Sequence, residues 1–212
     1  MNLILMGPPG AGKGTQGEIL AGKLNIQTIS TGVMLRSAIK EGTEVGKVAA
    51  QYINDGKLVP DSVIVDVVRE RLSKPDVKDG FILDGFPRTV AQAKALAETG
   101  LKIDKVLCIH VADEVIVERL SSRRECSKCG APYNVVSKPS KVEGICDSCG
   151  GELIQRADDV PETIENRLNI YHKETEPIID FYKEMGILVV AEGQPLLEDT
   201  VKRVNAVLGL ED

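Results

Sequence analysis

The 212-residue chain contains no tryptophan, and only 3% of its residues are aromatic. Base-stacking platforms for single-stranded nucleic acid are therefore scarce. Positive charge is in deficit as well. With 26 basic against 32 acidic residues the formal net charge is −6, which argues against a nucleic-acid partner. No apolar run approaches the roughly 18 residues needed to cross a bilayer. The opening Met1-Asn2-Leu3-Ile4-Leu5-Met6-Gly7 has neither a basic segment nor a small-residue cleavage site, so no secretory signal is expected. Internal repeats and low-complexity linkers are missing too. Histidine is reduced to His110 and His172, neither inside a motif. These absences describe a cytoplasmic protein with no nucleic-acid or membrane partner. Its length and 42% hydrophobic content suit one α/β domain, alone or carrying a smaller insertion.

Cysteine is the exception to this economy, with five in a chain that shows no sign of export. Four lie in one window as Cys126-x-x-Cys129 and Cys146-x-x-Cys149, with sixteen residues between the pairs. Each pair is followed by glycine, at Gly130 and at Gly150-Gly151, as in a tight knuckle whose backbone amides face thiolate sulfur. Two knuckles offer four soft ligands, which suits tetrahedral zinc with Zn–S bonds of about 2.3 Å. Disulfides and a redox pair are the alternatives; a reducing cytosol disfavours the first, and paired knuckles disfavour the second. Four protein ligands close the coordination sphere, so the metal is expected to be structural. Cys108, inside Val106-Leu107-Cys108-Ile109, reads as a small core residue.

Short apolar runs alternate with helical text along the chain. Strands are expected at 3–6, 27–30, 81–83, 105–111 and 187–191. Helices are expected at 13–24, 31–41, 44–55, 61–73, 89–99, 113–124, 161–185 and 196–208. Five buried strands alternating with helices imply a parallel sheet covered on both faces. The first strand ends in Gly7-Pro8-Pro9-Gly10-Ala11-Gly12-Lys13-Gly14-Thr15, a variant of the phosphate-binding loop in which Thr15 supplies the hydroxyl. Glycines there let backbone N–H groups ring a phosphate, and the helix that follows aims its positive end at it. Lys13 reaches the outer phosphates, and Thr15 is placed to ligate Mg2+. Another strand ends in Asp84-Gly85-Phe86-Pro87-Arg88-Thr89. Beside a phosphate loop, Asp84 suits a metal held through water, and Arg88 suits bidentate phosphate binding.

These motifs, with Ser30-Thr31-Gly32, Gly56-Lys57-Leu58-Val59-Pro60-Asp61 and Arg156-Ala157-Asp158-Asp159, resemble the adenylate kinase family in order and interval. The likeness covers essentially the whole chain and is to the long, zinc-containing bacterial form. It implies the P-loop nucleoside monophosphate kinase fold, with a five-stranded parallel sheet, an AMP-binding helical segment and a zinc lid. The divisions it implies are core 1–30, AMP segment 31–60, core 61–124, lid 125–157 and core 158–212. It also implies the reaction Mg·ATP + AMP ⇌ 2 ADP, in a monomer.

Site roles follow from the same resemblance. Gly10, Ala11, Gly12, Lys13, Gly14 and Thr15 would bind ATP phosphates, with Arg123 as the lid clamp. Pro132, Tyr133 and Pro195 would flank the ATP base or ribose. Thr31, Arg36, Lys57, Leu58, Val59, Gly85, Phe86, Pro87, Arg88 and Gln92 would form the AMP site, Val59 through its backbone and Gln92 at the adenine edge. Arg156 and Arg167 would grip phosphates as the lid closes, while Asp158 and Asp159 orient the lid and the Mg2+ site. Lys13, Asp84, Arg88, Arg123, Arg156, Arg167, Asp158 and Asp159 are then the residues expected to carry catalysis. The family often has aspartate where Val33 stands here.

The residues' own chemistry fits that assignment. Five of ten arginines (Arg36, Arg88, Arg123, Arg156, Arg167) fall in or beside the motifs, while Arg69, Arg71, Arg119 and Arg203 read as solvated surface pairs. Phosphoryl transfer asks for positioning and charge stabilisation. A monophosphate whose second pKa is about 6 is already largely a dianion at neutral pH, so a histidine base is not needed. Asp159-Val160-Pro161-Glu162 also reads as a capping box that would make Asp159 a helix cap. Gly17 and Gly22 are unexpected inside a helix, each costing about 1 kcal/mol against alanine where exposed. A kinase for another acceptor (UMP or CMP), or a nucleotide-binding zinc adaptor, are the competing functions.

Overall fold

The computed structural model describes residues 1–211. From β1 (Asn2–Met6) the chain passes through the glycine loop into α1 (Lys13–Leu24), β2 (Gln27–Ser30) and three helices. These are α2 (Thr31–Glu41), α3 (Glu44–Ile53) and α4 (Asp61–Leu72). After β3 (Phe81–Asp84) come α5 (Val90–Glu98), β4 (Lys105–His110) and α6 (Asp113–Ser121). A small antiparallel sheet of β5 (Arg123–Cys126), β6 (Pro132–Asn134) and β7 (Leu153–Ile154) follows, in the order β6-β5-β7. The chain closes with α7 (Pro161–Ile170), α8 (Ile178–Glu184), β8 (Leu188–Glu192) and α9 (Leu197–Leu208).

The five expected strands form one parallel sheet in the order β2-β3-β1-β4-β8. Its central strands are apolar on both faces, as a sheet covered twice requires. Alternation divides them: Ile4, Met6, Leu83 and Val106 pack under α2–α5 and α8, while Leu3, Leu5, Ile82 and Leu107 pack under α1, α6, α7 and α9. Each such side chain contributes about 2 kcal/mol of transfer free energy when buried. Gly17 belongs to this packing, since a Cβ there would lie 3.1 Å from Leu5 Cδ1. Gly22 faces open space and supports no contact. Cys108 is buried in β4, as a core residue should be.

Register brings the chemical residues to one edge. Asp84, the last residue of β3, pairs with Leu5 on one side and Ser30 on the other. The glycine loop after β1 and the Gly85–Thr89 segment after β3 therefore leave adjacent strands at their carboxyl ends. That is where parallel sheets bind ligands.

Two helices differ from expectation. The helix expected to run to Arg124 stops at Ser121, and Arg123 already begins the small sheet. Ser121 and Ser122 turn their hydroxyls back onto the carbonyls of Val117 and Glu118, competing for the last helical acceptors. The helix expected from 161 to 185 is broken at Tyr171–Thr175 by a π turn, in which Glu176 N–H donates to Tyr171 C=O. Pro177 is the cause. It lacks an N–H, and its ring crowds the carbonyl four residues earlier.

At that turn the His172 ring lies between Asp113 Oδ2 and Glu176 Oε2, each at 2.9 Å. Hydrogen bonding first to Glu176 and then to Asp113 raises the pKa of this half-exposed imidazole. A raised folded-state pKa gives stability that is complete below the unfolded value of about 6.5 and lost as pH rises through the folded one. His172→Gln should lower the melting temperature relative to the parent at pH near 6 and leave it unchanged near pH 9. Equal losses at both pH values would exclude the charged clasp.

Candidate functional site

The phosphate loop is built by close approach. A Cβ on Gly7, whose φ is 133°, would fall 2.3 Å from the carbonyl oxygen of Ile109, so only glycine lets the loop cross β4 there. Gly12 caps α1 in left-handed geometry with no side-chain cap, leaving the first amides of the helix for an anion. Lys13 lies across the loop, its Nζ donating to the carbonyls of Gly7 (2.8 Å) and Pro8 (2.7 Å). Burial pushes its ammonium down to about 8, against the opposing pull of Asp84. Asp84 Oδ2 accepts from Ser30 Oγ at 3.2 Å and lies 3.9 Å from where a Cβ on Gly14 would stand. Thr15, one residue on in α1, is half-buried. A hydroxyl and an adjacent carboxylate are the donor set that magnesium accepts, directly or through water.

A second cradle lies at the end of β3. Gly85 has φ 81°, and a Cβ on it would come 2.7 Å from Thr31 Oγ1 and 2.9 Å from an Arg88 guanidinium nitrogen. Its carbonyl accepts from both, from Thr31 Oγ1 at 2.9 Å and from Arg88 Nε at 2.8 Å. Arg36 folds back toward Gly32 in the same neighbourhood. Burial lowers the pKa of Arg88 and brings that of Arg36 to about 10, still above neutral pH. Gln92 is buried, accepting from Arg88 N–H at 2.7 Å and donating to Asp61 Oδ1 at 2.7 Å. Its side-chain amide keeps one further hydrogen and one further lone pair. Val59 is buried and Leu58 half-buried beside this segment.

The lid arginines are held by acids. Asp159 is wholly buried and accepts from Arg123 in bidentate fashion, 2.7 Å from Nε and 2.6 Å from the terminal nitrogen. The same carboxylate accepts from Arg167 at 2.9 Å, and Asp158 adds its carbonyl at 2.8 Å and its carboxylate at 3.0 Å. Asp159 is therefore not the helix cap that the capping-box pattern implied. Val160 occupies the cap position with no side-chain bond. Two guanidinium groups with little solvent leave the carboxylate no freedom to turn toward helix amides. Arg156 pairs with Glu125, a residue that sequence reading passed over. Read as a strand, Arg123 and Glu125 share one face by the two-residue period; read as a helix, they do not.

In the small sheet the four cysteine sulfurs all lie within 4.8 Å of one another. Cys126 and Cys149 are 3.5 Å apart, and Cys129 and Cys146 are 3.6 Å apart. Disulfides, at about 2.05 Å, are excluded by these separations. A tetrahedron with 2.3 Å bonds has sulfur edges of about 3.8 Å, so the cluster fits zinc. The amide of Cys129 lowers the Cys126 thiol, and the Tyr133 hydroxyl, donating at 3.5 Å, brings Cys146 down to about 6. These two shifts favour thiolate, while hydrogen bonding among the sulfurs raises Cys129. A Cβ on Gly151 would stand 2.8 Å from Cys126 Sγ, so the glycine after the knuckle is required.

Other expected residues lie differently. Tyr133 sends its ring into the module's own core with Cys126 and Cys146. Phe86 packs in the main core. Lys57 is exposed and pairs with Asp55 at 2.9 Å. Pro195 is exposed, on a turn whose Gln194 carbonyl accepts from Arg119 at 2.9 Å. Arg119 is thus a half-buried tether of that turn, in place of the solvated surface pair expected of it. Arg69 and Arg71 do form the expected pairs, with Asp66 and Asp76.

A phosphate loop, a second arginine-lined cradle on the neighbouring strand and an acid-clasped lid define a P-loop phosphotransferase for two small phosphorylated molecules. Comparison with known sequences narrows the class. The adenylate kinase family model matches residues 5–187. The adenylate kinase of Caldicellulosiruptor bescii is 55% identical, with 100% of both chains covered. Those of Caldicellulosiruptor saccharolyticus and Acetivibrio thermocellus are 54% and 53% identical over the full length of both chains. The chain belongs to the adenylate kinase family.

Two substitutions probe this site. Asp159→Ala leaves two buried guanidinium groups without their shared partner and should lower the unfolding free energy by about 3 kcal/mol, read by denaturant titration. An unchanged midpoint would show the triad to be energetically idle. Cys129→Ala should lower thermal stability and zinc content together. Full metal content by elemental analysis would remove the zinc assignment.

Proposed function

We infer that this chain transfers the terminal phosphoryl group of Mg·ATP to AMP, reversibly, giving two ADP. The observation that carries the reading is the pair of phosphate cradles leaving adjacent strands, one around Lys13 and one around Gly85 and Arg88. The first suits ATP phosphates, through the amides of Gly10 to Thr15 and the Lys13 ammonium. The second suits the AMP phosphate, through Thr31, Arg36 and Arg88. Arg123, Arg156 and Arg167 then serve the phosphoryl group in transit, where charge is spread over equatorial oxygens. Asp159, Asp158 and Glu125 hold those arginines at fixed angles. Preorganised cations cost no reorientation at the moment of transfer.

When bound, magnesium neutralises charge on the outer ATP phosphates; Thr15 would hold it directly and Asp84 through water. Zinc fixes the shape of the lid and takes no part in the chemistry, because four cysteines close its coordination. With the lid down over the cleft, water is excluded and ATP is spared hydrolysis. Gln92 and Val59 would meet the adenine of AMP. Pro132, the Tyr133 backbone and Pro195 would flank ATP. The working enzyme is a cytoplasmic monomer in this reading, and no helix among the described residues is long and apolar enough to cross a membrane.

A coupled assay of ADP formation, run with ATP, magnesium and AMP, UMP or CMP in turn, tests the proposal. Turnover should be at least a hundredfold greater with AMP than with either pyrimidine. Preference for a pyrimidine would reassign the acceptor, and no turnover with any of the three would leave a nucleotide-binding adaptor.

A further inference from the structure

The π turn does more than accommodate Pro177. It ends at Thr175, which is buried, and whose Oγ1 donates to the backbone carbonyl of Arg88 at 2.8 Å across 87 residues of sequence. Single π turns inside helices recur at functional positions. Arg88 sits in the irregular segment between β3 and α5, where no ladder fixes the backbone. Its N–H belongs to the peptide before its Cα and is taken by Gln92 Oε1 at 2.7 Å. Its C=O belongs to the peptide after that Cα and is taken by Thr175. Two side chains from different elements thus fix both peptide planes around one residue, and with them φ and ψ. Those two angles set the direction in which the Arg88 side chain leaves the chain. The Arg88 Nε bond to Gly85 then sets the far end.

We propose that Thr175 is a positioning residue for the acceptor phosphate: its hydroxyl holds the Arg88 backbone so that the guanidinium meets the monophosphate already aligned. The proposal rests on the functional reading above. It concerns only the acceptor side, because the phosphate loop receives no hydrogen bond from Thr175. The π turn is what makes the contact. The extra residue in the turn shifts the helical phase, so Thr175 faces the β3–α5 segment while α8 continues against α5. Threonine suits the task, since its hydroxyl has one hydrogen to donate and the Arg88 carbonyl receives it.

The test is a double-mutant cycle read by calorimetric binding of AMP and, separately, of ATP. Thr175→Val keeps the shape and removes the donor. It should weaken AMP binding about fivefold, the loss of one neutral hydrogen bond, and leave ATP binding within twofold. Thr175→Ser restores the hydroxyl and should restore AMP affinity. In an Arg88→Lys background, Thr175→Val should change AMP binding by less than twofold, because the group it positions is gone. If the valine variant does not fold, as judged by its melting curve, Thr175→Ala carries the same comparisons. Unchanged AMP affinity in a folded variant, equal weakening of both nucleotides, or full effect in the Arg88→Lys background would each overturn the proposal. The parent protein is the control for the reading beneath it. A parent that binds no AMP and forms no ADP from it refutes the acceptor assignment itself, whatever Thr175 does.

Discussion

The Asp159 carboxylate, closed off from solvent between Arg123 and Arg167, is the contact on which the rest of the site depends. A charge in that position is tolerable only while it is paired and hydrogen-bonded. Arg123 opens the lid sheet and Arg167 lies on α7, which packs on the main core. One pair of oxygens therefore ties the base of the lid to the body of the protein. Local preference gives way to this requirement. Asp159 stands one residue from the position where it would cap α7, yet it leaves the cap to Val160. Capping contributes about 1 kcal/mol, whereas breaking a buried pair costs several. The buried pair decides the geometry.

The lid solves a different problem. Its buried apolar content is Tyr133 with Cys126 and Cys146, against which Ala131 and Leu153 pack. A module that small cannot hold itself by hydrophobic burial. The cysteine cluster supplies internal shape, and the arginine–acid pairs supply attachment. Arg156–Glu125 joins the lid's first strand to the segment that leaves it, and Asn134 bonds back to Arg119 and Ser122 at the end of α6. Shape and attachment rest on separate contacts.

The sheet, its five strands and the two phosphate-binding segments were legible in the sequence because each depends on local pattern. Apolar runs such as Leu3–Met6 and glycine spacing carry the information within ten residues. Cysteine spacing was equally direct, since both knuckles are local and the ligand type is unambiguous. What was not legible depends on pairing across distance. Nothing near Arg119 announces the Gln194 carbonyl 75 residues away, and a helix expected to run to Arg124 hid the strand on which Arg123 and Glu125 share a face. The break in the last long helix was the exception. Pro177 was present as a signal, and the strong periodicity around it masked what a missing N–H does to the preceding turn. Tyr133 illustrates the converse. A family position does not say which way a side chain turns, and here the Tyr133 hydroxyl donates to the Cys146 sulfur.

Charge distribution explains why this arrangement suits two phosphorylated ligands. The chain is acidic in sum, yet Lys13, Arg88 and Arg167 are crowded together, as Arg36 is with Arg123 and Arg156, and burial lowers the pKa of Lys13, Arg36, Arg88 and Arg167. Repulsion adds to that burial: Arg88 and Arg167 both act to lower Lys13, and Arg88 acts on Arg167. The values of about 8 for Lys13 and about 10 for Arg36 still lie above neutral pH, so the groups remain charged. A folded state that crowds desolvated cations is less stable than one that disperses them. Phosphate groups reverse the sign of that effect. Each anion entering the cleft removes repulsion and restores favourable solvation to the cations, so binding is strengthened by the strain that folding left there. The acids already in the cleft set the limit. Asp158 and Asp159 offset part of this charge by pairing with Arg123 and Arg167. More acid would saturate the cations and exclude phosphate; less would leave the lid base unheld. The balance of two buried aspartates against the surrounding cations is thus set jointly by stability and by the charge of the substrates.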